Sequence, residues 1–410
     1  MVTLAREIPQ LPALEATLRK ITEGLAKELA CPTQFAPDWS DVEWTIARAV
    51  AAMHGVSPLL SRALRWQGPA SWSQFLDEQR AHTAKRHNRI CELLRVIDQR
   101  TREAGVPAVA LKGVALHALG LYQAGDRPMS DIDLLVRPAD AEATARMLVS
   151  LDYYESCETW KERVFTPTDD HPSGELGEHS DNNVKIELHE RICDKLPLHI
   201  TDVSKLIFPS HPQPGLNAYP SMASLMAHLL LHAAGAMAFQ SLRLLHLHDI
   251  AGLSSRMTEE DWDAVLKSSD RVGRLWWAFP PLKLTSRYYP SKIPARVLEA
   301  LAGACSYLLE WTSRHRTLYD VSFSYPWVDA FPGIEWSQSI GEILGYAASR
   351  VSPDSKHLAL REHVAKTEAW DAQSQWARLS QGRRILRWIT SRPTRSVTMH
   401  AVVAALAQAQ

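Results

Sequence analysis

The chain has few cysteines and they form no pattern: there are five, at positions 31, 91, 157, 193 and 305, with no Cys-x-x-Cys among them. An odd, scattered set argues against a disulfide frame and a zinc knuckle and points to a reducing compartment, so a cytoplasmic location is expected. Neither sign of charge is in excess. Lysine plus arginine number 45 against 46 acidic residues, a formal net charge of -1, so the chain as a whole carries no electrostatic footprint for nucleic acid. No apolar run approaches the span of a bilayer, and the first residues lack the charged-then-apolar pattern of a signal segment. Internal repeats, low-complexity tracts and long charge runs are missing too. The hydrophobic share of 46% and charged share of 22% suit a soluble globular protein, and 410 residues suggest two or three domains.

Tryptophan is plentiful, with 14 residues spread from Trp39 to Trp388. They do not cluster with basic residues as a nucleic-acid stacking platform would, so packing roles are expected. Residues 1–105 read as helical. Ser40 and Glu43 form a capping box for a helix from Asp41 to His54 that ends at Gly55. A longer helix, about Trp72 to Ala104, carries Ile90, Leu93, Leu94 and Ile97 on one face. Residues 106–200 change to an α/β pattern. Strands are predicted over Pro107–Leu111, Asp131–Val136, Arg163–Phe165 and Val184–His189, helices over Val114–Leu121 and Ala139–Leu151. Thr166 to Asn183 is polar and reads as a loop. Residues 215–410 return to helices, among them Ser221–Ala238 and Ser241–Ser254, with Thr258 and Asp261 opening another. The predicted fold class is α+β, a small mixed sheet flanked by helical regions on both sides.

Chemistry concentrates between Leu111 and His189. Residues two apart on a strand face the same side, so Asp131 and Asp133 project together while Ile132 turns inward. Paired carboxylate oxygens suit Mg²⁺, a hard cation that leaves room for phosphates; the plain alternative is a solvated strand edge. On the second strand Lys185, Glu187 and His189 share the polar face. If the two strands are neighbours, Glu187 becomes a third carboxylate, enough for two cations about 3.5–4 Å apart, and a candidate proton acceptor. The Lys112-Gly113 turn, where a strand enters a helix, offers backbone N–H groups and a positive charge to an anion. Arg127 and Ser130 are candidates to hold triphosphate oxygens, the alternative for Arg127 being an ion pair with a neighbouring acid.

Leu111-Lys112-Gly113, Tyr122, Arg127, Ser130-Asp131-Ile132-Asp133-Leu134-Leu135-Val136 and Ile186-Glu187-Leu188-His189, in that order, resemble the uncharacterised nucleotidyltransferase family of the DNA polymerase β-like superfamily. His228 to His232 and Arg243 to Asp249-Ile250-Ala251 resemble the helical C-terminal half of that family, so the resemblance spans about residues 40–270. It implies a nucleotidyltransferase palm with Asp131, Asp133 and Glu187 as metal ligands. It further implies Mg²⁺, with Mn²⁺ as an alternative, and an NTP donor such as ATP that gives up its nucleoside monophosphate and releases pyrophosphate. The acceptor it favours is a small molecule or peptide; the rivals are a toxin-like enzyme modifying tRNA or protein, and an inactive nucleotide-binding module. Many superfamily members carry Gly-Ser at the first turn, whereas here Val114 follows Lys112-Gly113 with no hydroxyl. Either backbone amides, Lys112 and Ser130 replace that contact, or the nucleotide is held differently.

Other signals are weaker. Lys185, His189, Arg243 and Asp249 are candidates to support the metal ligands or to line an acceptor pocket, although for Arg243 with Asp249 the favoured reading is a buried ion pair bracing the helical domain. His228 and His232, one turn apart, have metal-binding spacing but no evident third ligand. Arg243 and His248 have the spacing of a metal-free ribonuclease pair, though the family resemblance explains the same residues. The loop carrying Asp169, Asp170, His171, Glu178, His179 and Asp181 either closes over substrate or is a mobile connection.

Overall fold

Local signals set the N-terminal helices. The Ser40 hydroxyl accepts the Glu43 N–H while the Glu43 carboxylate accepts the Ser40 N–H at 2.8 Å, closing the predicted capping box. The computed structural model describes residues 11–169, 176–196, 199–270, 273–324, 330–353 and 379–390, together with residues 355, 358, 402 and 405. The elements begin with α1 (Leu11–Ala30), α2 (Asp41–Met53), α3 (Ser57–Ala63) and α4 (Ala70–Glu103). The α/β region contains β1 (Pro107–Ala110), α5 (Gly113–Ala118), β2 (Asp131–Val136), α6 (Ala141–Val149), β3 (Tyr153–Glu158), β4 (Arg163–Pro167) and β5 (Lys185–His189). There follow β6 (Cys193–Leu196), β7 (His199–Asp202), α7 (Ser204–Ile207), β8 (Gly215–Asn217), α8 (Met222–Ala238) and α9 (Leu244–Ser254). Further helices include α10 (Glu259–Lys267), which the Thr258–Asp261 capping box opens as predicted, and α11 (Phe279–Tyr288).

One six-stranded sheet, in the order β3–β4–β5–β2–β1–β8, lies at the centre. β2 runs parallel to β5 and β1 parallel to β8, while the other pairings are antiparallel. The fold is thus α+β with a mixed sheet. The sequence pattern does not mark β3, β8 or the β6–β7 ribbon: β8 is three residues long, and most of β3 is solvent-exposed, so neither has a clean apolar alternation.

The two faces of the sheet are buried differently. Ile132, Leu134 and Val136 of β2, Ile186 and Leu188 of β5, and Ala108 and Ala110 of β1 form one apolar cluster with Ile90 and Ile97 of α4 and Leu148 of α6. Leu93 and Leu94 pack against this cluster, so the predicted apolar face of α4 is the one that supports the sheet. On the other face, Val109 and Leu135 join a second cluster running from α1 and α2 through α8, α9 and α11. Trp72, Trp262, Trp277 and Trp336 are among its largest fully buried members or lie beside them, the packing role expected of tryptophan here. The five cysteines are free thiols.

α4 also holds the entrance to the two central strands. The buried Arg86 guanidinium donates to the carbonyls of Ser130 (3.5 Å) and Asn183 (3.1 Å), just ahead of β2 and β5, and pairs with Glu178. Gln79 bonds both the N–H and C=O of Glu178, His82 Nδ1 accepts the Ser180 N–H, and Arg89 donates to the Ser180 carbonyl. The described part of the polar loop is therefore pinned along α4; Asp170 and His171 lie outside the described residues. Arg86→Met leaves Glu178 and two carbonyls without their partner. It should lower unfolding stability by about 3 kcal/mol in a urea titration, and a change below about 0.5 kcal/mol would mean that the bridge carries no weight.

Candidate active site

Parallel pairing puts Asp131 opposite Lys185 and Asp133 opposite Glu187. Asp131, Asp133 and Glu187 consequently line one cavity of about 340 Å³. Its far wall is made by α8 and α9, through Leu229, His232, Leu245, His246 and Asp249. These helices take Asp133 out of solvent, to 5% exposure, which rules out the solvated-edge alternative for that residue. His189 is buried on the same face, with Nε2 3.1 Å from Asp133 Oδ1 and 3.7 Å from Glu187 Oε2. Lys185 is exposed and does not line the cavity.

Lys112 stands among the carboxylates, its Nζ 2.8 Å from Asp133 Oδ1. The turn that carries it differs from expectation. The left-handed φ falls on Lys112 (φ 46°, ψ -111°) and Val114 N–H bonds the Leu111 carbonyl at 3.2 Å, as in a type II′ turn with lysine at the corner usually given to glycine. Such a corner costs a side-chain-bearing residue roughly 1–3 kcal/mol. Gly113 is needed for space, since a Cβ there would come 2.4 Å from Arg127 Nη1. The Lys112 N–H is also occupied, donating to the Tyr219 hydroxyl at 3.2 Å.

Arg127 takes the ion-pair alternative. Its Nε and Nη2 both bond Asp249, at 2.9 and 2.7 Å, its Nη1 bonds the Pro128 carbonyl, and Tyr122 OH donates to Asp249 at 2.7 Å. Asp249 is thus paired with Arg127 of the α/β region, which replaces the expected Arg243–Asp249 pair; the Arg127 guanidinium is buried against Asp249 whereas Arg243 is exposed. Ser130 Oγ lies 3.3 Å from Asp131 Oδ2. Arg243 is exposed at the start of α9 and lines the cavity without an ion pair among the described residues. His248 turns away to Tyr289 OH, so Arg243 and His248 do not form a shared site. His228 bonds Tyr219 OH at 2.7 Å and His232 packs edge-on against His246. Among the described residues, the acidic, His and Cys groups whose donor atoms come within 4.8 Å of one another are Asp133, Glu187 and His189, with neither α8 histidine included.

Sequence reasoning missed Lys161 and Glu162, which line the same cavity. They sit at the tip of the β3–β4 hairpin, where the Thr159 hydroxyl accepts both of their N–H groups and the Thr159 N–H bonds the Glu162 carbonyl at 2.8 Å. The signal available was a threonine-led turn between two strands, one of which has no readable alternation.

The electrostatics follow from crowding. Burial raises the Asp133 carboxyl, but Lys112 and His189 outweigh it and hold this group well below the usual carboxylate range. Burial and then the repulsion of Asp133 and Asp131 push Glu187 up to about 9, and burial with Asp133 raises Asp131. Burial disfavours the Lys112 charge, yet Asp133, Glu187 and Asp131 together raise it above the ordinary lysine value. Burial lowers His228 and His232 well below the ordinary histidine value and His246 to about 3, so these three are neutral at physiological pH.

The model of the uncharacterised nucleotidyltransferase family matches residues 40–290, more than half of the chain, and the chain belongs to that family. No curated protein and no solved structure matches it. Among the described residues, no helix is long and apolar enough to cross a membrane.

The Glu187 shift sets a pH test without metal. The folded chain holds this proton more tightly than the unfolded one, whose ordinary value is 4.5, so the contribution is full below about 4.5 and is lost as pH rises through about 9. In EDTA, Glu187→Gln should melt at the same temperature as the natural chain at pH 4 and higher at pH 9, by on the order of 2 °C or more. Equal melting temperatures at both pH values would show that burial and the neighbouring carboxylates do not hold the Glu187 proton as described.

Proposed function

We propose that the chain is a divalent-metal-dependent nucleotidyltransferase that moves a nucleoside monophosphate from an NTP to a small-molecule or peptide acceptor and releases pyrophosphate. The observation that carries this reading is the register of β2 on β5, which gathers Asp131, Asp133 and Glu187 on one walled cavity. The donor set fits a divalent cation: three carboxylates and an imidazole meet around a single ammonium, and two of the carboxyls are pushed up by burial and then by a mutual repulsion that a cation would relieve. Asp131, Asp133 and Glu187 would hold Mg²⁺ or Mn²⁺, with His189 orienting Asp133. When bound, the metal supplies charge neutralisation at the phosphates and lowers the proton affinity of the acceptor oxygen.

The chain's own groups do the rest. Lys161 and Arg243 both line the cavity and offer charge to the triphosphate, in place of the guanidinium that Arg127 spends on Asp249. The acceptor oxygen attacks the α-phosphorus, the bond to the bridging oxygen breaks, and pyrophosphate leaves with that electron pair. Glu187, once ionised, is placed to take the acceptor's proton. The α8 and α9 residues Leu229, His232, Leu245 and His246 in the lining support an acceptor held within the cavity.

Label transfer tests this. Incubated with an α-labelled NTP, Mg²⁺ and a low-molecular-weight cell extract, the protein should place label in a new small product. Asp131→Asn or Asp133→Asn should cut transfer by about a hundredfold or more with the fold retained. Label appearing in RNA, or full transfer by both variants, would contradict the proposal. Arg243→Ala and Lys161→Ala should each weaken Mg·NTP binding about tenfold, roughly 1.4 kcal/mol, read by fluorescence titration. Unchanged affinity in both would remove these residues from the donor site.

A further inference from the structure

Lys112 combines three observations that metal binding or turn formation alone does not account for. Its backbone holds a corner conformation that favours glycine, although a lysine stands there. That corner is fastened from the helical side: Tyr219 OH accepts the Lys112 N–H and is itself hydrogen-bonded to Nδ1 of the buried His228, 2.7 Å away. The side chain then reaches Asp133 Oδ1, the same oxygen that His189 Nε2 approaches at 3.1 Å. A residue unsuited to its backbone position is therefore anchored there with its ammonium in the middle of the carboxylate cluster.

We infer that Lys112 is a resident cation, which occupies the carboxylate cluster before loading and is displaced from Asp133 by the incoming divalent ion. This rests on the metal-site reading above. A dication and an ammonium repel each other across one carboxylate oxygen, so metal entry at Oδ1 weakens the ammonium contact there. The anchor at Tyr219 fixes the backbone and leaves four methylene groups free to swing, so the ammonium can leave Asp133 without the turn moving. The freed Nζ then faces the donor's phosphates, since Lys112 lines the same cavity as Lys161 and Arg243. The exchange leaves a cation against Asp133 in both states and couples metal entry to the creation of a phosphate contact.

The test uses Mn²⁺ alone, with free ion read by electron paramagnetic resonance. Lys112→Met and Lys112→Gly should bind Mn²⁺ about tenfold more tightly than the natural chain, while their affinity for a non-hydrolysable NTP with Mn²⁺ falls. Lys112→Gly suits the turn better than lysine does, so it retains the fold. A second readout separates displacement from simple charge proximity. Acetylation of Lys112 by acetic anhydride, followed by peptide mass spectrometry, should speed up several-fold when Mn²⁺ is added and slow again with the NTP analogue. In Asp133→Asn it should be fast from the start. Mn²⁺ affinity that is unchanged or weaker in the Lys112 variants, or an acetylation rate indifferent to Mn²⁺, would overturn the inference while leaving the metal site standing. Failure of the natural chain and all variants to bind Mn²⁺ would overturn the site reading and this inference together.

Discussion

Repulsion among Asp131, Asp133 and Glu187 is the constraint around which the centre of the molecule is built. Parallel pairing of β2 and β5 puts these carboxylates on one face, and α8 and α9 remove much of the water that would otherwise screen them. The compensation is local and specific. Lys112 and His189 both address Asp133, while burial and then the repulsion of Asp133 and Asp131 leave a Glu187 carboxyl that holds its proton up to about 9. A turn that stores strain at Lys112 is consistent with such a site, since the same residue carries the ammonium that meets Asp133.

Around that centre, buried polar pairs fix how the pieces meet. Arg127, four residues ahead of Asp131, is locked to Asp249 on α9, and Tyr122 completes the carboxylate's hydrogen bonds. The pair therefore joins the sheet to the helical wall at the edge of the cavity, and breaking either partner would leave an uncompensated buried charge. On the opposite side Arg86 ties the starts of β2 and β5 to each other through two carbonyls.

The parts of this arrangement that were legible in the sequence are those set by local periodicity. Alternation along Asp131–Val136 and Val184–His189 gave the strands and the shared faces, and the Ser40 and Thr258 capping boxes gave two helix starts. Sequence order and the family resemblance together pointed to the three carboxylates. What stayed hidden depends on contacts between distant residues or on conformations with no compositional mark. Asp249 could be read as an ion-pair partner, but its true mate, Arg127, lies 122 positions away. Lys161 and Glu162 belong to a hairpin with one exposed strand, and Tyr219 follows a strand of only three residues, so neither had a pattern to announce it. The Lys112 turn was read through its glycine, whereas the unusual φ sits on the lysine.

The account stands or falls on whether the carboxylate cavity holds a metal-bound triphosphate. Calorimetric titration of the four ribonucleoside triphosphates, in Mg²⁺ and in EDTA, on the natural chain and on the Asp131→Asn/Asp133→Asn double variant, addresses this most directly. The account predicts heat of binding for at least one triphosphate that requires Mg²⁺ and vanishes in the double variant. Binding that is equally tight in EDTA or in the variant, or no binding of any triphosphate, would contradict it.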